Sequence, residues 1–275
     1  MEKKQRNLNA AAKAKKDEFY TQLTDIEKEM RYYRKHFRGK TILCNCDDPF
    51  ESNFFKYFVL NFNRLGLTKL IATCYSTSPI MGSQLHYHFD EHGQMSFSFG
   101  DTSRDDGVKH PYKAVVKQVY DKTGDGGVDM LDVVELFKSG ENELSELSGD
   151  GDFRSPECLS LLDEADIVVT NPPFSLFREY ISTLMEHRKS FIIIGNVNAI
   201  TYKEFFPLLK ENKVWIGASI HSGDRKFYVP DDYPLSAAGC GIDEEGRRFI
   251  RVKGVRWYTN LDIKQRHEEL ILVKK

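Results

Sequence analysis

The chain has 275 residues, of which 40% are hydrophobic and 29% are charged, and its formal net charge is −2. These values are ordinary for a globular protein with a full core, and they exclude a charge-rich disordered chain. No apolar run is long enough to span a membrane, so we expect no membrane partner. The five cysteines, two of them in a predicted strand, predict free thiols in a reducing cytoplasm and not a disulfide framework.

Residues 1–16 form a basic segment that we expect to be a flexible tail. Its cations are Lys3, Lys4, Arg6, Lys13, Lys15 and Lys16. Such a run is either a solvated extension or a tail that becomes ordered on phosphate groups, and the sequence leaves both interpretations open. The slightly negative net charge of the whole chain is mild evidence against a nucleic-acid partner, because phosphate contacts need Lys and Arg.

Hydrophobic periodicity predicts alternating helices and strands in the first part of the chain. The predicted elements are a helix over residues 17–37, a strand over 41–46, a helix over 52–65 and a strand over 69–75. Alternation with short links predicts an α/β fold, in which a mostly parallel sheet carries helices on both faces.

The region over residues 76–140 interrupts this alternation, and we expect it to be a variable insertion. His86 and His88 alternate with apolar residues before a turn at Gly93 and a second run over 95–99, which predicts a β-hairpin. Alternate residues of a strand share one face and can ligate a metal. The candidate ligands are His86, His88, Asp90 and His92. Because no matching ligands precede them, we expect an exposed hairpin and no metal site. The further predicted elements of this region are a strand over 113–120 and a helix over 128–137.

Regular alternation resumes after residue 156 and then gives way to strands. The predicted elements are helices over residues 156–164, 176–187 and 202–211 and strands over 167–170, 191–195, 214–217, 255–260 and 269–273. Residues 218–275 are β-like and rich in turns. We therefore expect one catalytic domain over residues 17–275 that ends in a β-rich part.

The Asn-Pro-Pro-Phe motif at residues 171–174 carries the clearest chemical signal in the sequence. It follows the β-branched strand predicted over 167–170, and neither proline can donate to a sheet ladder. Ser175 is the expected N-cap of the helix that follows. The motif therefore predicts a stiff loop at the carboxyl end of a strand, where open α/β sheets hold their ligands.

The side chains of this motif suit methylation of an exocyclic aromatic amine. The lone pair of such an amine is delocalised into its ring, and two acceptors aimed at its hydrogens would free it. The Asn171 side-chain oxygen and the Pro172 carbonyl are the candidate acceptors. Pro173 stiffens the loop, and Phe174 offers a face on which a base can stack. A proline-rich turn without function is the alternative, but the strand before it and the helix after it favour catalysis.

Seven segments along the chain add to this motif. They read DEFYTQ (17–22), CNCDDP (44–49), SNFFKYF (52–58), SGDGDFRS (148–155), VVTNPPFSLFREY (168–180), NVNAITYKE (196–204) and WYTNLD (257–262). In content and order they resemble the EcoRI-type adenine-specific DNA methyltransferases, and the resemblance thins over residues 76–146 and 219–255. It implies a Rossmann-like methyltransferase fold, S-adenosyl-L-methionine as cofactor, and N6 of adenine in double-stranded DNA as methyl acceptor.

The resemblance also implies cofactor-binding residues at two places near the N-terminus. Phe19, Tyr20 and Thr21 resemble an N-terminal cofactor-contact motif, for which an ordinary helix start is the alternative. Asp48, after the first strand, would hold the amino group of the methionine part of the cofactor. A turn formed by two aspartates is the alternative there.

Two further residues, Asp152 and Phe153, resemble the pair that reads the cofactor adenine. The carboxylate would accept from the adenine amino group and the ring would pack on its face, whereas a plain turn is the alternative. Many related methyltransferases hold the cofactor ribose with an acidic residue after the second strand. This chain has Cys74 and Tyr75 there, so ribose recognition stays unassigned.

The resemblance implies a site-specific DNA methyltransferase of a restriction-modification or phage setting, with GAATTC as the first guess for its site. We expect a monomer in the cytoplasm, associated with the nucleoid, that needs no metal and has a cognate restriction endonuclease as possible counterpart. The absence of a Pro-Cys dipeptide removes the usual nucleophile for cytosine C5 methylation. RNA adenine or a protein glutamine is an alternative substrate. The family usually continues beyond residue 275, so a non-catalytic DNA-binding member without the C-terminal recognition part is another alternative.

Overall fold

The computed structural model describes residues 20–46, 49, 52–74, 85–89, 95–99, 111–229, 235 and 239–269, with the backbone alone for 85–89 and 95–99. The chain forms two compact units. We call Gly39–Thr170 the middle unit, and we call Met1–Arg38 together with Asn171–Lys275 the terminal unit, because it holds both ends of the chain.

The described helices and strands alternate through much of both units. The helices are α1 (Leu23–Met30), α2 (Arg34–Phe37), α3 (Asn53–Leu60), α4 (Phe62–Leu65), α5 (Met130–Lys138), α6 (Pro156–Glu164), α7 (Phe177–Glu186) and α8 (Phe206–Lys210). The strands are β1 (Thr41–Asn45), β2 (Lys69–Thr73), β3 (Leu85–Phe89), β4 (Met95–Phe99), β5 (Tyr112–Val116), β6 (Glu143–Glu146), β7 (Ile167–Thr170), β8 (Ser190–Asn196), β9 (Trp215–Ile216), β10 (Asp224–Tyr228), β11 (Gly241–Ile242), β12 (Arg248–Lys253) and β13 (Val255–Thr259). Short 3-10 helices cover Phe174–Leu176, Val197–Thr201 and Lys264–His267.

The middle unit is built on a sheet with the strand order β6-β5-β2-β1-β7. Strand β1 pairs in parallel with both β2 and β7, and antiparallel strands β5 and β6 follow on the side of β2. All four residues of β7 and four of the five residues of β1 are buried. Such continuous burial is typical of parallel strands covered on both faces. The predicted α/β, Rossmann-like fold class is confirmed.

The ends of β1 and β7 form the feature that matters most for function. The chain passes from β1 to β2 on one side, and β7 is added on the other side, so the strand order reverses at β1. Open α/β sheets bind ligands outside the carboxyl ends of the strands at such a point. The Thr170 hydroxyl donates to the Asn45 carbonyl and ties these two strand ends together. Asn171 is the next residue of the chain.

The insertion in the middle unit contains the predicted hairpin. Strands β3 and β4 pair antiparallel, with Leu85 opposite Phe99, which confirms the prediction. The side chains of His86 and His88 lie outside the described part of the structure, so the expectation for them stays a prediction. Strand β6 was not predicted, because its sequence, ELSE, is mostly exposed and lacks an apolar alternation. It is a strand because it pairs with β5.

A buried carboxylate organises the loop before α5. Asp132 is 0% exposed, and its side chain accepts from the backbone N–H groups of Lys122 and Thr123, each at 2.8 Å, and of Asp129 at 2.9 Å. The Asp129 side chain accepts in turn from the N–H groups of Leu131 and Asp132, and the reciprocal bonds between Asp129 and Asp132 form a capping box. Burial by itself raises the pKa of Asp132, but the three N–H donors outweigh it and hold the pKa below its ordinary value.

We predict that Asp132→Asn lowers the free energy of unfolding at pH 7 by about 1–3 kcal/mol, because an NH2 donor replaces one of the two carboxylate oxygens and then faces a backbone N–H donor. A depressed folded-state pKa stabilises the fold above the unfolded value of about 3.9, and this stability is lost as the pH falls through the folded-state pKa. Thermal unfolding from pH 7 to pH 3 should therefore show the gap between wild type and variant narrowing with acid. A gap that is constant with pH would contradict the charge as its cause.

The terminal unit contains two antiparallel sheets. In one, β13 pairs with both β8 and β9, and in the other the order is β10-β12-β11. Strands β10 to β13 fall within the part predicted to be β-rich, residues 218–275, and β9 lies just before it. The predicted strand over 269–273 lies almost entirely outside the described residues. Tyr20 forms a two-way backbone bridge with Tyr228, which attaches the segment before α1 to β10.

Two predicted helices of the terminal unit differ from the structure. A turn at residues 31–33 divides the predicted helix 17–37 into α1 and α2. The helix predicted over 202–211 is only α8, because Pro207 stands in its first turn, the one place where a helix tolerates proline. The residues before it form a separate 3-10 helix over Val197–Thr201.

Candidate functional site

The Asn-Pro-Pro-Phe loop is buried at its beginning and half-exposed at its end. Asn171 is 4% exposed, and Pro172 and Pro173 are buried as well. Phe174, by contrast, is half-buried and starts a 3-10 helix. The loop thus holds the proposed hydrogen-bond acceptors inside the protein and presents an aromatic ring to solvent.

The loop leads into α7 without a side-chain cap. Ser175 lies inside the 3-10 helix and is exposed, and α7 begins only at Phe177, after Leu176. The prediction of Ser175 as N-cap was therefore wrong. The 3-10 turn supplies the reason, because the Leu176 N–H donates to the Pro173 carbonyl at 2.9 Å and the chain already turns there.

An aromatic cluster anchors the start of α7. The rings of Phe177, Phe205 and Tyr258 lie 4.9–5.6 Å apart by centroid, and each is at most 2% exposed. The Phe177 ring also packs against Gly195 of β8, where any added Cβ would collide with it. The Tyr258 hydroxyl donates to the Asn196 carbonyl at 3.0 Å. These contacts fix the helix that follows the Asn-Pro-Pro-Phe loop to two strands of the terminal unit.

A cleft of about 710 Å³ opens beside Phe174, within the terminal unit. Its lining consists of Phe174, Ser175, Arg178, Glu179, Ser182, Tyr202 and Glu204. The Arg178 guanidinium lies over the Tyr202 ring at 4.2 Å from its centroid, which is a cation–π contact. A volume of this size is ordinary for a small-ligand site.

Sequence reasoning missed the part that Arg178, Tyr202 and Glu204 play in this cleft. The segment NVNAITYKE contributes to the family resemblance, but its local pattern predicts no role for Tyr202 or Glu204. The cleft unites two segments about 25 residues apart, and no local pattern predicts that. One pattern could have indicated the cleft. Two of the segments that carry the family resemblance, 168–180 and 196–204, each contain a charged residue next to an aromatic residue.

The predicted N-terminal cofactor motif is described only from Tyr20 onward, and Phe19 lies outside the described residues. Tyr20 is half-buried, and its backbone N–H donates to the Tyr228 carbonyl at 2.9 Å. Thr21 is 3% exposed and precedes α1 by two residues. The structure therefore holds this motif in place through β10.

In the middle unit, Asp152 and Phe153 form a compact group with Arg154. The Asp152 carboxylate accepts from the Arg154 backbone N–H at 2.9 Å, from its Nε at 2.8 Å and from a second guanidinium nitrogen at 2.5 Å. The same guanidinium lies 5.3 Å from the centroid of the Phe153 ring. Burial raises the pKa of Asp152, but the hydrogen bonds from Arg154 outweigh it and hold the pKa below its ordinary value. The carboxylate is thus an ionised acceptor beside an aromatic ring.

The end of β1 has an unusual backbone. Asp48 lies outside the described residues, so its role stays a prediction. Cys46, directly after β1, has φ of +84°, in the left-handed region that glycine prefers. Strained backbone of this kind tends to occur where a ligand or a tight turn demands it. The sequence does not predict this conformation, because cysteine has no preference for a positive φ.

Other kinds of site find no support in the described part of the chain. All five cysteines are described there, and none of them is part of a disulfide in these residues. Within the same residues, no group of His, Cys, Asp or Glu is arranged to bind a metal ion. The described helices include none with the length and apolar character needed to cross a membrane.

A Rossmann-like sheet, with an Asn-Pro-Pro-Phe loop directly after one of its parallel strands, defines the class of amino-methyltransferases. Comparison with known proteins narrows this class. The family model described as "Adenine-specific methyltransferase EcoRI" matches residues 7–275. The chain therefore belongs to the EcoRI family of adenine-specific methyltransferases.

Three curated relatives agree with this assignment. The Escherichia coli protein "Type II methyltransferase M.EcoRI" is 43% identical over 275 residues, which is 98% of this chain and 72% of that protein. "Type II methyltransferase M.MgeORF184P" of Mycoplasma genitalium is 34% identical over 93% of this chain and 65% of its own length. "Type II methyltransferase M.MpnI" of Mycoplasma pneumoniae is 32% identical over 92% of this chain and 64% of its own length. The chain spans about two thirds of the Mycoplasma relatives. No solved structure matches it significantly.

Proposed function

We propose that this chain transfers a methyl group from S-adenosyl-L-methionine to N6 of adenine in duplex DNA. The observation that carries the proposal is the Asn171–Phe174 loop, which follows a parallel strand at the point where the strand order reverses. The family of this chain supports adenine as the methylated base, and the names of the relatives support DNA modification. Under the proposal, the catalytic residues are Asn171, Pro172, Pro173 and Phe174.

Each of these residues has a defined task under the proposal. An adenine in a duplex must leave the base stack to be methylated, and Phe174 offers it a partly exposed ring on which to stack. Asn171 Oδ1 and the Pro172 carbonyl accept the two N6 hydrogens, which draws the nitrogen toward a tetrahedral shape and frees its lone pair. Because the loop is buried and anchored before the base arrives, positioning supplies most of the rate enhancement.

The cofactor, when bound, supplies the methyl group as part of a sulfonium ion. The residues that we propose to hold it are Phe19, Tyr20, Thr21, Asp48, Asp152 and Phe153. Asp152 and Phe153 fit the adenine part of this cofactor, because an ionised carboxylate can accept from its amino group and an aromatic ring can pack on its face. In the described structure Arg154 uses both oxygens of Asp152, so the adenine amino group would share or take over one of these acceptors.

The names of the relatives, which are Type II methyltransferases, support a restriction-modification setting for the proposal. We propose a site-specific enzyme that acts as a monomer and protects a GAATTC-like site from a cognate restriction endonuclease. Digestion of DNA methylated by this chain with nucleases of known specificity would identify the protected site. Cleavage of GAATTC by its nuclease after full methylation would overturn this choice of site.

A methyl-transfer assay with labelled cofactor tests the proposed function directly. The substrates should be a mixed pool of duplex DNA, structured RNA and a glutamine-containing protein, each at the same concentration. We expect label only in duplex DNA, and nucleoside analysis should place it on N6 of adenine. Label in RNA adenine or in glutamine would replace the proposed substrate, and label in none of them would refute the catalytic proposal.

We predict that Phe174→Ala lowers turnover on duplex DNA about 5- to 100-fold, because stacking on an aromatic ring is worth about 1–3 kcal/mol per base. Phe174→Trp should retain most of the activity, since it keeps an aromatic face. Phe206→Ala is the matched control, because Phe206 is 54% exposed in the same unit and has no assigned role. If Phe174→Ala is as active as this control, the stacking role is wrong.

A further inference from the structure

The cleft beside Phe174 has two walls that are held rigidly by the same aromatic contact. One wall is α7, where Arg178 follows Phe177, and the other is the segment after the Val197–Thr201 helix, where Glu204 precedes Phe205. Phe177 and Phe205 are buried and pack edge to face at 5.6 Å. Phe177 and Phe205 therefore anchor the backbone of the two walls, and their neighbours Arg178 and Glu204 line the cleft.

Arg178 is in a state suited to recognition. It is exposed, its guanidinium carbon lies 4.2 Å from the centroid of the Tyr202 ring, and it forms no ion pair with any residue in the described ranges. A guanidinium stacked by its face keeps its N–H donors at the rim, in a fork that matches two adjacent acceptors. Stacking restrains the side chain beforehand, so less entropy is lost when a ligand binds.

The composition of the cleft distinguishes between two parts of DNA. Glu179 and Glu204 also line it, and two carboxylates disfavour the entry of a phosphate. A base edge offers both acceptors and amino donors and suits the arginine and the two carboxylates of this lining. The methylated adenine takes Phe174 and must reach Asn171, which is not among the residues that line the cleft. A second base therefore contacts the part of the lining that Arg178, Tyr202 and Glu204 form.

We propose that this cleft binds a second base of the DNA site, distinct from the methylated adenine, and that Arg178 reads it. This inference rests on the proposed function. Guanine is the base that the cleft fits, because its O6 and N7 are the pair of acceptors that an arginine fork contacts. Glu204 lies in the same cleft and accepts from the amino group of a neighbouring cytosine or adenine, because the amino group of guanine lies on its other edge. Arg178 is then a specificity-determining residue, and Tyr202 is its positioning residue.

The test compares Arg178→Met with Arg188→Met, which removes an exposed arginine just beyond the other end of the same helix. Once methylation has identified the site, each of its base pairs is replaced in turn. Duplex affinity is then measured by fluorescence anisotropy at one salt concentration, and the salt dependence is measured on the intact site. We expect Arg178→Met to lose about 10- to 100-fold discrimination at one guanine and none elsewhere, which is the value of one bidentate base contact.

Two further measurements separate a base contact from a phosphate contact. Arg178→Lys keeps the charge but loses the fork, so it should lose the same discrimination as Arg178→Met. The salt slope of all variants should equal that of wild type, whereas a lost phosphate contact would lower it by about 1. Replacing the guanine by 7-deazaguanine should weaken binding by wild type and leave binding by Arg178→Met unchanged.

The outcomes keep this inference apart from the proposed function. If wild type methylates DNA and Arg178→Met discriminates among the duplexes as wild type does, the cleft reads no base and this inference fails alone. A uniform loss of affinity with a flatter salt slope would also overturn it, by making Arg178 a phosphate contact. If wild type methylates no DNA at all, the proposed function fails first and this inference fails with it.

Discussion

Asn171→Ala should lower methyl transfer to duplex DNA by at least about 100-fold and leave cofactor affinity within a few-fold of wild type. Asn171 is 4% exposed and stands directly after β7, so its side chain is fixed before a base arrives. Removal of one preorganised hydrogen-bonding group from an active site typically costs a factor of 10²–10³ in turnover. Single-turnover rates and calorimetric cofactor binding measure the two quantities separately.

Asn198→Ala is the matched control for this change. Asn198 is exposed on the Val197–Thr201 helix. Its backbone donates to the Asn196 side chain and accepts from the Thr201 hydroxyl, and its side chain has no assigned role. Asn171→Asp is a second variant, because it keeps an acceptor oxygen but adds a charge that the methyl acceptor does not need. Near-normal turnover in Asn171→Ala would remove Asn171 from the catalytic set, and a large loss of cofactor affinity would assign it to the cofactor instead.

The parts of the fold that the sequence predicted well are those in which a local pattern suffices. Strand β7 is a run of β-branched residues that ends at two prolines, and α6 begins after Ser155, whose hydroxyl accepts from the Cys158 N–H. The hairpin β3–β4 was predicted from alternation around a glycine. In each case a few neighbouring residues determine the local structure.

The parts that the sequence did not predict depend on distant partners. Strand β6 exists through its pairing with β5, and α8 is short because Pro207 limits where it can start. The candidate site divides in the same way. The Asn171–Phe174 loop was found from one contiguous motif, whereas the cleft with Arg178 and Tyr202 depends on packing between Phe177 and Phe205, which are 28 positions apart.

The stability of the terminal unit should depend strongly on one buried acid. Glu29 of α1 is 0% exposed, and it accepts from the Tyr33 hydroxyl at 2.7 Å and from the N–H groups of Ala218 and Ser219 at 2.9 and 2.7 Å. The Glu29 carboxylate lies so close to the backbone of Gly217 that a Cβ on Gly217 would collide with it. Glu29 therefore fastens α1, and the Thr21 segment before it, to the residues after β9.

We predict that Glu29→Leu lowers the free energy of unfolding by at least about 3 kcal/mol, because each of three orphaned donors costs on the order of 1–3 kcal/mol. The midpoint of thermal unfolding should fall by roughly 6–12 °C, given about 2–4 °C per kcal/mol for a protein of this size.

Glu27→Leu is the control, because Glu27 is exposed on the same helix and its loss should change the free energy of unfolding by less than about 0.5 kcal/mol. Tyr33→Phe removes a single donor and should cost only about 0.5–1.5 kcal/mol. Glu29→Leu should also weaken cofactor binding more than Glu27→Leu does, since α1 begins two residues after Thr21. Equal unfolding midpoints for Glu29→Leu and Glu27→Leu would show that the buried carboxylate does not hold α1 in place.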